Sequence, residues 1–427
     1  MVIATLIIVF LILLVIGVPV ALAMGLTSIV VAFQLDISLS VLAQRMVAGI
    51  NSFPLLAIPF FILAGEIMNT GGISQRLIKL SDVIVGRFRG GLGMVNVSSS
   101  MLFGGISGSA LADTSSTGSV MIPMMKKKGY DADYSVAVTV TSATQGIVIP
   151  PSHNMIIYAL AAGGGISISS LFLGGIIPGI LLGIGLMVTA YIIAVKRNYP
   201  AEKPSSFKEI ITASRQAIPG LLTGVIIIGG IMSGIFTVTE SAAIAVVYAF
   251  IVSFVFNKDV PISAIVPVLQ RTFKTLALVL FLIATSSGFA WLLAVLRVPA
   301  MISEGLLSLT DNPIFITLIL ILILLLLGTI LDVAPIILIT TPILLPIATS
   351  IGMDPIQYGI MMMICMAIGL VTPPVGGALF IGSAIAKIPI EKVVKGILPF
   401  YISMIIILLL VAFIPQLSLT IPSLFDN

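Results

Sequence analysis

The stretch Gly104–Pro123, GGISGSALADTSSTGSVMIP, decides the reading of this 427-residue chain. Between Gly91 and Met125 the one charged residue is Asp113, among many Gly, Ser and Thr. A basic loop follows, Lys126-Lys127-Lys128, and then Ser142–Pro151, SATQGIVIPP. The same grammar returns two hundred residues on. Gly328–Ile347 reads GTILDVAPIILITTPILLPI, and Met366–Pro374 reads MAIGLVTPP. Asp113 precedes Pro123 by ten residues, and Asp332 precedes Pro342 by ten. Gly129-Tyr130-Asp131 matches Gly352-Met353-Asp354. Gly146–Pro151 matches Gly369–Pro374, and Gly175–Pro178 matches Gly396–Pro399. The offset drifts only between 219 and 223. Matched features in the same order mark an internal duplication.

Composition sets the class. The chain is 59% hydrophobic and 8% charged, where soluble domains carry roughly 25% charged residues. It is therefore a polytopic membrane protein. A net charge of +4 suits basic cytoplasmic loops rather than nucleic-acid binding. One cysteine, Cys365, and one histidine, His153, exclude a disulfide framework and a multi-histidine metal site within the chain. Ala21-Leu22-Ala23 resembles a signal-peptide cleavage site, but no basic n-region precedes it. Val2–Phe33 reads as a retained first span, bent at Gly17-Val18-Pro19.

The remaining chain divides by apolar runs. Residues 1–90 hold helices and arms of the first repeat, with an interfacial segment at Leu35–Ser52 and an amphipathic arm at Ser74–Arg89. Residues 91–195 hold a re-entrant hairpin, 104–125, and a broken helix, 134–162. Residues 196–217 form a basic linker. Residues 218–313 repeat the scaffold part, and 314–427 hold the second hairpin, 328–350, and second broken helix, 356–386. In the first repeat the loop before the broken helix is basic. In the second, the basic loop comes after it, with Lys387, Lys392 and Lys395. Basic loops stay cytoplasmic, so the repeats are expected to be inverted. The Arg76–Arg89 arm has no place in that scheme. The expected fold class is all-α and polytopic, an inverted repeat with two hairpins and two broken helices.

Inverted repeats with interrupted helices mark secondary transporters with a site near the midplane. Pro150 and Pro151 cannot donate to the carbonyls of Gly146 and Ile147, nor Pro373 and Pro374 to those of Gly369 and Leu370. Freed carbonyls at membrane depth must face protein or a polar cavity, and they suit a hard cation such as Na⁺. A plain packing kink is the alternative. Asp113 and Asp332 are lone carboxylates at depth, where such groups face a cavity or an ion. Alternatively, each caps a hairpin turn. Free N–H groups at half-helix starts favour a carboxylate substrate. Ser152-His153-Asn154 follows the first proline pair, where the second repeat has Val375-Gly376-Gly377. That asymmetry suits an organic substrate. Glu66, Glu240 and Glu304 sit near span ends and read as snorkelling or capping residues.

Six long motifs then resemble the large membrane subunit of tripartite ATP-independent periplasmic (TRAP) transporters: IPFFILAGEIMNTGG at 58–72, SGSALADTSSTGSVMIPMM at 107–125, QGIVIPPSHN at 145–154, TESAAIAV at 239–246, LGTILDVAPIILITTPILLP at 327–346 and GLVTPPVGGALF at 369–380. The resemblance implies an elevator-type fold of the ion-transporter superfamily, in the bacterial inner membrane. It also implies a separate small four-helix membrane subunit, a periplasmic substrate-binding protein, and Na⁺-driven uptake of an organic acid, with no organic cofactor and no enzymatic activity. By motif match, a first sodium site falls at Ser107, Asp113, Gly146, Val148 and Pro151. A second falls at Asp332, Gly369, Val371 and Pro374. Substrate contacts are expected at Ser109, Ser152, His153, Asn154, Thr372 and Gly376. PPSHN and the RNYP of the linker look most like the sialic-acid branch, with C4-dicarboxylates, keto acids or sugar acids as alternatives. A stand-alone Na⁺ or H⁺ symporter is a competing reading. An intramembrane aspartyl hydrolase would need Asp113 and Asp332 in a Gly-X-Gly-Asp context, which neither has.

Overall fold

The computed structural model describes residues 1–201, 204–257, 260–310 and 312–425, with side chains throughout except at 106, 107, 307 and 309. Each duplicated block folds into the same motif. The first hairpin has arms Gly91–Ser107 and Ala110–Lys127; the second has arms Pro313–Gly328 and Val333–Ser350. Arms of 16 to 18 residues reach about 24–27 Å, short of the ~30 Å hydrocarbon core. The hairpins thus begin well before the matched glycines, Gly104 and Gly328, because the apolar run leading to each glycine is the first arm. The first broken helix runs Ala132–Ala143, Gln145–Val148 and, beyond the proline pair, His153–Ala161. The second runs Pro355–Gly369 and Gly377–Ala386. Both proline pairs, Pro150-Pro151 and Pro373-Pro374, contain a cis peptide bond. A long helix closes each repeat, Ile168–Lys196 and Ile390–Phe413.

The repeat is visible in its bonds. Gly129 and Gly352 both turn at positive φ, +85° and +86°. Tyr134 donates its hydroxyl to the Ala190 carbonyl at 3.1 Å. At the matching position Gln357 donates its amide to Val411 and Ala412 carbonyls at 3.2 and 2.9 Å. Different side chains satisfy the same buried carbonyls of the closing helix. The two aspartates, however, are not equivalent. Ser109 and Asp332 are the N-caps of the two second arms, and Asp113 lies one helical turn inside. The ten-residue Asp–Pro spacings therefore match by coincidence of register; Pro123 corresponds to Pro346, not Pro342.

The broken helices run antiparallel. Lys126, just before the first, donates to the Ala386 carbonyl at the end of the second, at 3.1 Å. Tyr158, near the end of the first, donates to the Pro355 carbonyl at the start of the second, at 2.6 Å. The distal half of each broken helix packs on the second arm of the other repeat's hairpin. Residues Tyr134–Ala143 and Gln357–Gly369 are buried without exception, so these proximal halves form the centre of the molecule.

One end of the molecule is basic. Arg197 bonds Asp131 at 3.0 Å and Asp133 at 2.9–3.0 Å. Lys392 and Lys395 line the same hollow. Burial, then the hydrogen bond it gives Asp131 at 2.7 Å, pushes the Tyr199 phenol up to about 12. Arg89 bridges Ala201, and the Gly90 N–H bonds the Pro200 carbonyl at 3.1 Å. The Arg76–Arg89 arm thus ends on this same basic face, which accounts for charges the loop comparison left unexplained. The inverted reading of the sequence agrees with this clustering.

The first hundred residues depart from the sequence expectation in two places. Val2–Phe33 is not one bent span. Val2–Val15 and Val20–Gln34 fold back on each other, and Gln34 Nε2 reaches Thr5 Oγ1 at 3.3 Å. Helices of 14 and 15 residues measure only about 21–23 Å. Second, the helix within Ser74–Arg89, Ile73–Val85, is an integral brace, packed against Gly91–Ser107 and Phe207–Met232. An outer layer surrounds the two motifs. In it, Val238–Phe250 packs on Ala57–Thr70, and Ile265–Val295 packs on Val20–Gln34, Leu39–Ile50 and Ala57–Thr70. Among the described residues, seven helices are long and apolar enough to cross a membrane.

Candidate functional site: hairpin tip, helix break and cavity

Each hairpin touches its own repeat's broken helix through paired glycines. A Cβ on Gly104 would lie 2.8 Å from Gly146 Cα, and one on Gly369 would lie 2.6 Å from Gly328 Cα. Small residues let backbones approach this closely in membranes. The first hairpin turns at Gly108, in the left-handed region at φ +61°. Its tip rests on the break: Cβ positions at Gly105 and Gly108 would be 3.1 Å from the Pro150 and Pro151 carbonyls. At the second tip, the Val375 N–H donates to the Thr329 carbonyl at 3.0 Å.

Asp113 is fully buried in the first turn of its arm. Its Oδ1 accepts the Thr117 hydroxyl at 2.5 Å, the Ser100 hydroxyl lies close to the same carboxyl, and Oδ2 makes no hydrogen bond of good geometry among the described residues. A buried polar atom left unpaired costs about 1–3 kcal/mol, more when charged, so a cation or donor at this oxygen would offset a real cost. Gly146 and Val148 are buried beside the tip, and the Val148 carbonyl packs against Gly175. The Ser107 side chain lies outside the described residues.

The second break differs. Asp332 is exposed and caps its helix, its Oδ1 accepting the Val333 N–H at 3.0 Å. The Gly369 carbonyl accepts the Thr372 N–H at 2.9 Å, and the Val371 carbonyl accepts the Tyr401 hydroxyl at 2.5 Å. Pro374 is exposed. Neighbouring donors therefore take up the Gly369 carbonyl that Pro373 leaves bare and the Val371 carbonyl beside it.

A cavity of about 490 Å³ opens beside the first tip. One wall carries Ser109, Ser115 and His153; the other, from Ala57–Thr70 and Ile265–Val295, carries Glu66, Asn69 and Arg271. Of the expected substrate residues, Ser109 and His153 meet here. Ser152 and Asn154 are buried away from it, and Thr372 and Gly376 belong to the second break. Glu66 is no snorkelling residue: its Oε2 accepts Arg271 Nε at 2.8 Å. Asn69 and Arg271 carry no mark of a site in the sequence, and Ser115 is one hydroxyl among several in its hairpin. Arg271 stands just before an apolar run, where a basic residue ordinarily marks a span end. Among the described residues no three His, Cys, Asp or Glu side chains gather into a metal centre.

A family model described as the DctM component of tripartite ATP-independent periplasmic transporters matches residues 7–417. The chain belongs to that family. It is a multi-pass bacterial inner-membrane permease subunit and not an enzyme. This DctM-family chain is 43% identical to the uncharacterized protein YgiK of Salmonella typhimurium, over 97% of the chain and 96% of that relative. It is 39% identical to the sialic acid TRAP transporter large permease protein SiaM of Vibrio cholerae, over 90% and 89%. It is 38% identical to the C4-dicarboxylate TRAP transporter large permease protein DctM of the same organism, over 96% and 95%. The crystal structure of the Alcanivorax borkumensis YdaH transporter matches with a TM-score of 0.67 over 88% of each chain, at 14% identity, a likeness of fold.

Proposed function

We propose that this DctM-family permease subunit takes up an organic acid by Na⁺ symport, in complex with a small membrane subunit and a periplasmic binding protein. The observation that carries the ion coupling is Asp113. It is a fully buried carboxylate with an unpaired oxygen, beside a hairpin tip that rests on a proline-broken helix. A hard cation takes oxygen ligands, and both carboxylate and backbone oxygens are at hand. Gly146, Val148, Pro151 and Ser107 complete this proposed first site. The second site, at Asp332, Gly369, Val371 and Pro374, would hold an ion less tightly, because Tyr401 and Thr372 already donate to its carbonyls. The cavity between the walls is the substrate route. The hairpins and broken helices are proposed to slide as a unit against the outer layer, an elevator movement.

Sialic acid is the favoured substrate, from the PPSHN and RNYP motifs and the SiaM relative. A C4-dicarboxylate is the second reading, from the DctM relative. Uptake of N-acetylneuraminate and of succinate should be measured in proteoliposomes holding this chain, its small subunit and the cognate binding protein. Uptake of either acid is expected to need an inward Na⁺ gradient and the binding protein. Asp113→Asn should lower it at least about tenfold, the equivalent of ~1.4 kcal/mol, with its Na⁺ dependence lost. Uptake independent of Na⁺ overturns the coupling, and uptake without the binding protein favours a stand-alone symporter.

A further inference from the structure

The Glu66–Arg271 pair sits on the outer-layer wall of the cavity, and no part of the ion-coupling argument uses it. Arg271 Nε bonds Glu66 at 2.8 Å and Nη2 bonds Thr70 Oγ1 at 2.9 Å. Nη1 has no partner among the described residues. The side chains are 51% and 22% exposed. Among the described residues lining the cavity, these two are the formally charged ones. The facing wall offers hydroxyls and an imidazole, Ser109, Ser115 and His153, and no cation among the described residues. A carboxylate entering the cavity therefore meets one full positive charge, already half-claimed by an internal carboxylate. A guanidinium presents five donors in a planar fork that can hold a second carboxylate edge-on.

The position of the pair along the membrane matters. The linker ends on the basic face. Phe207–Met232 and Val238–Phe256 are each long enough to cross, so Ile265 starts back on that face. Arg271 is six residues in, about 9 Å. The cavity thus runs from the first hairpin's tip toward the basic, cytoplasmic face.

We propose that Arg271 is a carboxylate receptor on the stationary wall, parked on Glu66 when the cavity is empty and shared with the substrate's carboxylate only when the cavity opens inward. This rests on the symport reading above and adds a residue-level asymmetry to it. Ser109, Ser115 and His153 travel with the hairpin and broken helix; Arg271 does not. The acid therefore gains the guanidinium at one end of the stroke and lacks it at the other. A ligand contact made in one state only shifts affinity in that state only.

The test is trans-inhibition in the same reconstituted complex. Labelled N-acetylneuraminate, with succinate as a second probe, is offered outside while the same unlabelled acid is loaded inside. The internal concentration that halves uptake should rise about tenfold to a hundredfold in Arg271→Gln, the loss of a charge-assisted bonding pair. The external KM should stay within about twofold. Arg271→Lys should shift the internal value less, and Glu66→Gln should lower it by freeing the guanidinium. The charge swap Glu66→Arg with Arg271→Glu controls for folding. A mere structural clamp would recover wild-type internal affinity in the swap, whereas a receptor would not. An unchanged internal value in Arg271→Gln, equal shifts on both sides, or recovery in the swap overturns the receptor. So does wild-type uptake without trans-inhibition. Wild-type uptake of neither acid overturns the symport reading itself, and this inference with it.

Discussion

At the scale of the residue, the sharpest constraint is the glycine pair at each hairpin–helix contact. A methyl group at Gly369 would fall 2.6–2.7 Å from the Cα, C and O atoms of Gly328. Backbone cannot swing aside as a side chain can, and overpacking of this kind costs about 1–3 kcal/mol or more. Gly369→Ala is expected to lower the thermal midpoint of the purified protein by several degrees and to depress uptake. Gly229→Ala serves as the comparison, since nothing lies within 4 Å of its Cβ position. There the helix gains up to ~1 kcal/mol from the better helix former, and the melting curve should not fall. The Tyr401 hydroxyl makes a second residue-scale case. Tyr401→Phe strips the donor from the buried Val371 carbonyl and should cost about 1–3 kcal/mol, read as a lower melting midpoint. A variant as stable as the parent would mean that water or an ion takes the carbonyl instead.

At the scale of the element, the breaks were legible and the bends were not. A proline lacks its N–H wherever it stands, so Pro150-Pro151 and Pro373-Pro374 announce interrupted helices from the sequence alone. The fold-back at Gly17–Pro19 has the sequence signature of a bend, because an apolar run records its hydrophobicity and not its direction. The ten-residue spacing shared by two Asp–Pro pairs points to a register for the second hairpin that is off by one turn. Only the capping positions, Ser109 and Asp332, fix the true alignment. Asp113 was legible as a lone charge in a long apolar stretch. Arg271 was not, because what makes it part of a site is Glu66, 205 residues away in the chain. Contacts of that separation leave no local trace.

At the scale of the whole molecule, the antiparallel broken helices fix which loops share a side. Lys127 and Lys392 are exposed near the basic face; Gly164 and Ser350 are exposed at the opposite end. Single cysteines placed at 164 and 350 should react with a membrane-impermeant thiol reagent added to spheroplasts. Those at 127 and 392 should react only after permeabilisation. The native Cys365 is completely buried and supplies a silent background. Labelling of 127 and 164 from one side would undo the inverted arrangement, whatever the fate of the ion or substrate proposals.

The exchange of partners between the repeats also governs how the chain comes to be. Each distal half-helix finds its seat on a hairpin encoded in the other repeat. The amino-terminal half, emerging first from the ribosome, therefore waits with an unfilled groove until the carboxyl-terminal half arrives. Neither half is a finished object by itself. Two polypeptides cut within the linker are expected to be degraded when made singly and to assemble when made together, because assembly rather than continuity of the chain is what completes each of them.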